Sequence, residues 1–385
     1  MMQKMIFMAI LWIGLLYLPG CGMNNQETSL NEIDIRKANE IEFNDLVDDI
    51  TSISIDGDNP EGFFTSCDKI IHYSNRIFIY SLSNFAVFVY SDSGQFIKRI
   101  DNRSKGKVET PSDILIDEDR NLLLIVDGSL SRLLYFTLDG EFIEEKKLER
   151  RTVSFVHLSG DRYLAYDGRL EKSFSNYISI YNQSTGEMEN RFVRKLENKK
   201  LNQEYFSTRF SRNNARGEIY VLPPFSSTVY ISDTIDGTTF RPYLSINTGG
   251  DFLSEDKYPD KGFSEKEYAD IMHSKKQITD ISNFKSTSDR IFFKLHGKDS
   301  NFYSVNLNNH EVSRFPFLYD GLESSSYTQI QGSSNEYLIA LYTKESVMNY
   351  VNKQPNANPQ ISECLKKADS NDKWILFFFK IKSNR

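Results

Sequence analysis

The chain has 385 residues, 26% of them charged, and a formal net charge of −7. No dense Lys/Arg patch interleaved with aromatics occurs, so the balance lacks the electrostatic footprint of a nucleic-acid binder. Phe (28) and Tyr (21) far outnumber Trp (2), which favours pleated strands, and length alone permits one to three domains.

The N-terminus reads as a targeting segment. Lys4 supplies a short positive region, Met5–Leu18 is an apolar run short for a membrane span, and Leu18-Pro19-Gly20-Cys21 follows. That tetrapeptide resembles the signal of bacterial lipoproteins, with Pro19 a slight departure from the usual residue there. Residues 1–20 are therefore expected to be removed and Cys21 to carry the lipid, since several acyl chains together anchor a protein stably. Gly22 after the cysteine favours the outer membrane by the usual sorting rule. Which way the body faces, periplasm or exterior, stays open, because GMNNQE holds one acid. Residues 21–48, polar and without strand alternation, are expected to form a lipidated tether.

From Asp49 the chain repeats itself. Two short apolar strands, a Gly- or Asn-bearing turn and a more polar strand recur about every 40 residues, the period of a β-propeller blade that must stack on its neighbours. The first unit is Ser66–Tyr73, Arg76–Tyr80, Ala86–Tyr90 and Gln95–Ile100. The second is Ser112–Asp117, Asn121–Asp127, Arg132–Thr137 and Glu141–Leu148. The third is Ser154–Leu158, Arg162–Tyr166, Tyr177–Tyr181 and Glu187–Val193. The fourth is Tyr205–Arg209, Glu218–Leu222, Thr228–Ser232 and Thr239–Ile246, with Pro223 in a loop because proline cannot serve a central ladder. The fifth is Ile278–Lys285, Arg290–Leu295, Phe302–Asn306 and Glu311–Phe317.

The sixth offers only Thr328–Gln331, Tyr337–Tyr342 and Trp374–Ile381. The spare alternating strand Asp49–Ile55 would complete it and remove an exposed edge. The expected fold is thus an all-β six-bladed β-propeller over residues 49–382, closed by an N-terminal strand. Two short helical insertions, 250–277 and 344–372, are expected on one rim. In the first, Ser254 and Ser264 are candidate caps, and acids precede lysines along FSEKEYADIMHSKKQ, matching the helix dipole. In the second, Val347, Tyr350 and Val351 form one face before Pro355 and Pro359 interrupt it. Such loops on a rigid scaffold are where binding specificity usually lives. Cys67 and Cys364 are either a disulfide, which an oxidising compartment permits, or two buried thiols.

LVDDITSISIDG, PSDILIDEDRNLLLIVD leading into LYFTLDGEFI, PPFSSTVYISDTIDGTTFRPYLSINTGG and NDKWILFFFKIK occur in that order. In this the chain resembles the Bacteroidetes-type six-bladed β-propeller lipoproteins, architectural relatives of NHL-repeat propellers. It departs from them at IDNRSKGKVETPSD, where only Gly106 and Glu109 remain of a Gly-rich turn. The resemblance implies a cell-envelope propeller and supplies no catalytic residues.

No nucleophile elbow, phosphate loop, dinucleotide fingerprint or HExxH is present. The basic run Arg99, Arg103, Lys105 and Lys107 on one connection between blades offers contacts for an anionic sugar or an acidic partner loop, or simply faces water. Tyr258, Phe263 and Tyr268 in the first insertion are placed to stack on sugars or to anchor the insertion. These residues point to a monomeric, non-catalytic propeller on the outer membrane that binds a glycan, a peptide or an envelope protein and needs no cofactor. The alternative is an NHL-like lyase or hydrolase with Zn or Ca in the central channel. His72 and His157 on inner strands would serve Zn, although their unequal offsets from Arg76 and Arg162 argue against a shared layer. Asp68, Asp113, Asp117 and Asp161 would serve Ca, or else they lock turns.

Overall fold

Long apolar runs such as RIFIY and LLLIVD have no polar face, so both faces of those strands must be covered. The computed structural model of the chain shows how. It describes residues 30–149, 151–166, 176–194, 209–223, 226–232, 239–253, 264, 266–267, 270–271, 276–319, 322, 330–354, 356–369 and 371–383. Six antiparallel meanders form six separate sheets. Along Arg76–Ser81 of blade 1, Ile77 and Ile79 enter a cluster with Leu376 and Phe378 of blade 6. Phe78 and Tyr80 enter another with Ile114 and Ile125 of blade 2. Side chains alternate across a strand, so every inner pair of strands feeds two neighbours. The six principal core clusters fill the six interfaces between consecutive blades, the last joining blade 6 to blade 1.

The inner strands are Lys69–Tyr73, Pro111–Asp117, Ser154–Ser159, Phe210–Asn213, Ile278–Ser286 and Gly332–Ser333. Each lies beside the next, and the Ile70 amide donates to Gln331 O at 3.0 Å between the first and last blades. Strand bounds agree with the sequence reading to within a residue or two in most places. In blade 6 the inner strand is Gly332–Ser333, just after the expected Thr328–Gln331; in blade 4 it is Phe210–Asn213, and of the expected Tyr205–Arg209 only Arg209 lies among the described residues. Arg209 lies just before it and reaches across to Asp280 in blade 5, at 3.1 and 3.3 Å.

In the sixth sheet the outer strand is Val47–Ile55, paired antiparallel with Trp374–Ile381 from Ile55↔Trp374 to Val47↔Ile381. Of the expected tether, the described residues 31–46 are not free. Asn31–Asp34 adds a parallel fifth strand to blade 4 beside Phe240–Asn247, and Asn39–Glu40 does the same in blade 5 beside Val312–Phe315. Ile33, Ile35, Phe43 and Leu46 are buried. Isolated pairs such as Ile33/Ile35 and Ile41/Phe43 are too short to show a period, and the exposed edges of two finished blades give them somewhere to go.

The second insertion is a pair of helices, α1 (Lys344–Lys353) capped by Thr343 and α2 (Pro359–Lys367) capped by Asn358. Pro359 therefore opens a helix instead of interrupting one, as its missing N–H permits at the first helical position. Val347, Tyr350, Ile361 and Cys364 bury themselves in the cluster that holds Phe43, Leu46 and Ile50. The Gln360 side chain donates to Asp49 at 2.7 Å. This insertion clamps the outer strand of blade 6 rather than decorating a free rim. Of the first insertion, Lys266, Glu267, Asp270 and Ile271 are helical, and Ser264 and Glu267 cap reciprocally at 3.2 and 2.7 Å. Ser254, Tyr258, Phe263 and Tyr268 lie outside the described residues, as does Cys21.

Cys67 and Cys364 are free, buried thiols. They sit in different clusters, one between blades 6 and 1 and the other under α2, so the bridge is not formed. Burial raises the pKa of both thiols.

Candidate site in the central channel

The inner strands surround a cavity of about 270 Å³ lined from all six blades. Among the described residues its charged lining is Lys69, Glu118, Arg212 and Lys285. Two irregular strands aim the chemistry into it. In blade 2 the register slips between Pro111 and Asp113, and in blade 5 between Ser282 and Lys285, where Asn283 has φ 54°. Such bulges redirect a side chain that regular alternation would send into a blade interface.

Asp113 is 3% exposed and joins three blades. Its carboxylate accepts from Lys69 Nζ at 2.7 Å, from the Phe155 amide at 3.2 Å and from the Ser154 hydroxyl. Lys285 has no such anchor. It is half-buried and reaches the cavity, and among the described residues its ammonium has no hydrogen-bond or ion-pair partner. Burial, reinforced by the facing Lys69 ammonium, pushes its pKa down to about 8, with Asp113 pulling the other way. Ser211 and Ser286 beside it bond to each other at 2.8 Å. Arg212 is committed, donating to the His157 carbonyl at 2.9 Å.

The two histidines have separate partners. His72 is exposed, lies 2.8 Å from Asp92 and packs edge-on against Phe378 of blade 6. His157 is 2% exposed, with Nε2 3.1 Å from Gly160 O, 3.6 Å from Asp119 and 3.8 Å from Asp117. Its Nδ1 is buried and unpartnered. Among the described residues no group of three or more His, Cys, Asp and Glu is arranged to hold a metal ion. A resident Zn would thus have one spare nitrogen, and the set does not fit it.

The four acids singled out for Ca are each engaged by protein donors. Asp68 accepts from the Leu82 amide at 2.7 Å and from Ser66 at 3.1 Å, a turn lock. Asp117 accepts from Arg120 Nε at 2.7 Å and the Tyr163 hydroxyl at 2.6 Å. Burial acts to raise its pKa, but the Tyr163 hydrogen bond, the facing His157 and Arg120 outweigh it and hold the carboxyl below its ordinary value. Asp161 accepts from Ser184. Asp113 is the only one of them tied to a channel lysine.

The basic run is divided. Arg99 and Arg103 both grip Asp101, at 2.7 and 2.9 Å, and Arg103 also reaches Glu61 at 2.9 Å. Lys105 and Lys107 are exposed. No cluster forms there that would fork around an anion, because Asp101, itself 5% exposed, takes both guanidinium groups. Sequence reasoning overlooked Lys69 and Lys285. The available signal was a lysine at each of two inner strands where an apolar residue is the norm, with Asn283 marking the bulge.

A family model described as a domain of unknown function, DUF4934, matches residues 30–380. The structure is similar to that of a Bacteroides fragilis protein described as exported, with 18% identity, 91% of this chain and 99% of that one covered, and a TM-score of 0.73. A member of the DUF4221 family from Bacteroides vulgatus is similar at 13% identity over 88% and 98% of the two chains, with a TM-score of 0.53. At these identities the likeness shows the fold. No curated protein matches the chain.

Proposed function

The chain belongs to the DUF4934 family, and from that premise we propose a lipoprotein of the outer membrane whose propeller binds, without catalysis, the end of a glycan or peptide chain in its channel. The observation that carries this is the cavity itself, open to a charged and polar lining contributed by all six blades. At about 270 Å³ it is smaller than the ~300–1,000 Å³ typical of drug-sized ligands, so it takes one small group and leaves any folded envelope partner to the rim. An envelope address is supported by the Cys21 signal and by the exported description of the Bacteroides fragilis relative. The NHL-like phrase in blade 2 supports the same architecture. Screening the purified chain against glycan and peptide fragments, with Ser333→Trp to block the channel mouth, tests the reading. Binding that is unaffected by the tryptophan would refute it. Cys21→Ser should move the protein from the membrane fraction to the soluble one.

The second reading, an NHL-like lyase or hydrolase with a divalent ion in the channel, has behind it only the Nδ1 of His157, unpartnered among the described residues, and no donor set joins it there. Stoichiometric Zn or Ca in the purified chain, lost in His157→Ala, would decide for it.

A further inference from the structure

Among the described cations that line the channel, Lys285 is the one left without a hydrogen-bond acceptor. Lys69 has Asp113, and Arg212 has the His157 carbonyl. Asp113, the carboxylate whose charge acts on Lys285, already serves Lys69, Ser154 and the Phe155 amide. A half-buried ammonium without a protein acceptor is poorly solvated, and the usual remedies are a counter-ion or loss of the proton. The backbone is bent to keep it there, since the slip between Ser282 and Lys285 takes Asn283 to φ 54°, a conformation few non-glycine residues adopt. Among the described residues the lining keeps a surplus cation although the chain is acidic: Lys69 is paired with Asp113, and Arg212 and Lys285 face Glu118, against a net charge of −7 overall.

Toward the mouth the lining changes character. Ser333, Ser334, Asn335 and Asn214 bring hydroxyls and amides, with Tyr73 beside them. The Asn335 side-chain oxygen accepts from the Ala215 amide at 3.1 Å, and its amide nitrogen keeps two donors. A group with one negative end and several hydroxyls therefore matches the channel from base to mouth.

We propose that the channel binds an acidic sugar residue, with Lys285 pairing its carboxylate and the Ser333–Asn335 and Asn214 side chains meeting its ring hydroxyls. This rests on the channel-binding reading above. A positive, narrow, low-dielectric cleft focuses such an anion more strongly than an open basic surface does. Affinity should fall at high pH, because the ammonium that attracts the carboxylate loses its proton above about 8. Facing Lys285 are Lys69 from blade 1, Asp113 from blade 2, and Phe210 and Ser211 from blade 4.

The test is calorimetric titration of the full chain with glucuronate and galacturonate, with glucose and galactose as neutral counterparts, and with acetate and inorganic phosphate. The expected result is at least about tenfold preference for the uronates at pH 7, which shrinks by pH 9.5 in the wild type. Lys285→Met should abolish the preference and Lys285→Arg should retain it. Equal binding of uronates and neutral hexoses would overturn the proposal, as would a preference that survives Lys285→Met or is flat with pH. Acetate or phosphate binding as tightly as the uronates would overturn the sugar assignment. If neutral sugars bind equally well and Ser333→Trp blocks them, the channel reading stands while the acidic-sugar proposal fails. If no probe binds, both fail. The wild-type pH series decides the matter even if Lys285→Met does not fold.

Discussion

Replacing Lys285 by Met removes a half-buried charge while keeping an unbranched side chain of similar reach. The ordinary lysine value of 10.5 falls to about 8 in the fold. At about 1.36 kcal/mol per pH unit, holding the proton at pH 7 costs the folded state about 3 kcal/mol relative to the unfolded chain. The sign follows from the folded value lying below the unfolded one: the penalty is complete below about pH 8 and fades as pH rises toward 10.5. Lys285→Met should therefore raise stability at pH 7 by up to about 3 kcal/mol, and by only about 1 kcal/mol at pH 9.5. Removal of unpaired buried charge in favour of apolar side chains commonly stabilises on this scale. Urea unfolding followed by circular dichroism at both pH values reads the difference as a shift of midpoint, with the slope checking that the same surface is exposed. A variant less stable than wild type at pH 7, or a difference independent of pH, would show that the ammonium is satisfied in the fold and would remove the ground for an incoming anion. A stability gain accompanied by lost ligand is the trade-off expected of a binding group kept at the expense of the scaffold.

Asp280→Ala should cost about 3 kcal/mol in the same assay, because it takes the carboxylate from Arg209, a guanidinium group 2% exposed. A loss below about 1 kcal/mol would mean the Arg209 charge is served mainly elsewhere. Gly94→Ala should be far more damaging than Gly160→Ala. Both glycines have positive φ, 80° and 56°, but a Cβ at Gly94 would lie 1.8 Å from Ser54 O of the outer blade 6 strand, whereas one at Gly160 meets nothing within 4 Å. The second should lose about 1 kcal/mol and the first well over 2, and equal losses would contradict the packing of that turn on Val47–Ile55. A thiol reagent should label neither Cys67 nor Cys364 in the native protein and both after denaturation without reductant. Labelling of neither after denaturation would reveal a disulfide.

The blade strands were readable because a hairpin is a local object. Apolar alternation, the turns Ser91-Asp92-Ser93-Gly94 and Leu138-Asp139-Gly140, and short loops specify register within about 25 residues. The capping of the first insertion was readable for the same reason, at Ser264 and Glu267. Signals failed where a segment borrows its structure from distant ones. Ile33 and Ile35 mean nothing until blade 4 presents an edge, and Pro359 reads as a stop until Asn358 is seen capping α2. The basic run stayed open between an anion contact and a solvated loop because sequence shows four cations on one connection but not that Asp101, 5% exposed, holds two of them.

By itself, then, the sequence determined an all-β propeller of six units, since runs such as RIFIY and LLLIVD must bury both faces and stacking is the way a repeated sheet does so. Tertiary structure alone decided what faces the axis. Lys69, Asp113 and Lys285 come from three different blades, and they meet because each blade turns its inner strand to the centre and two one-residue register slips override the alternation. A strand pattern encodes which residues are apolar, whereas a bulge encodes where one polar residue points, and that depends on the partner strand rather than on the residues that carry it.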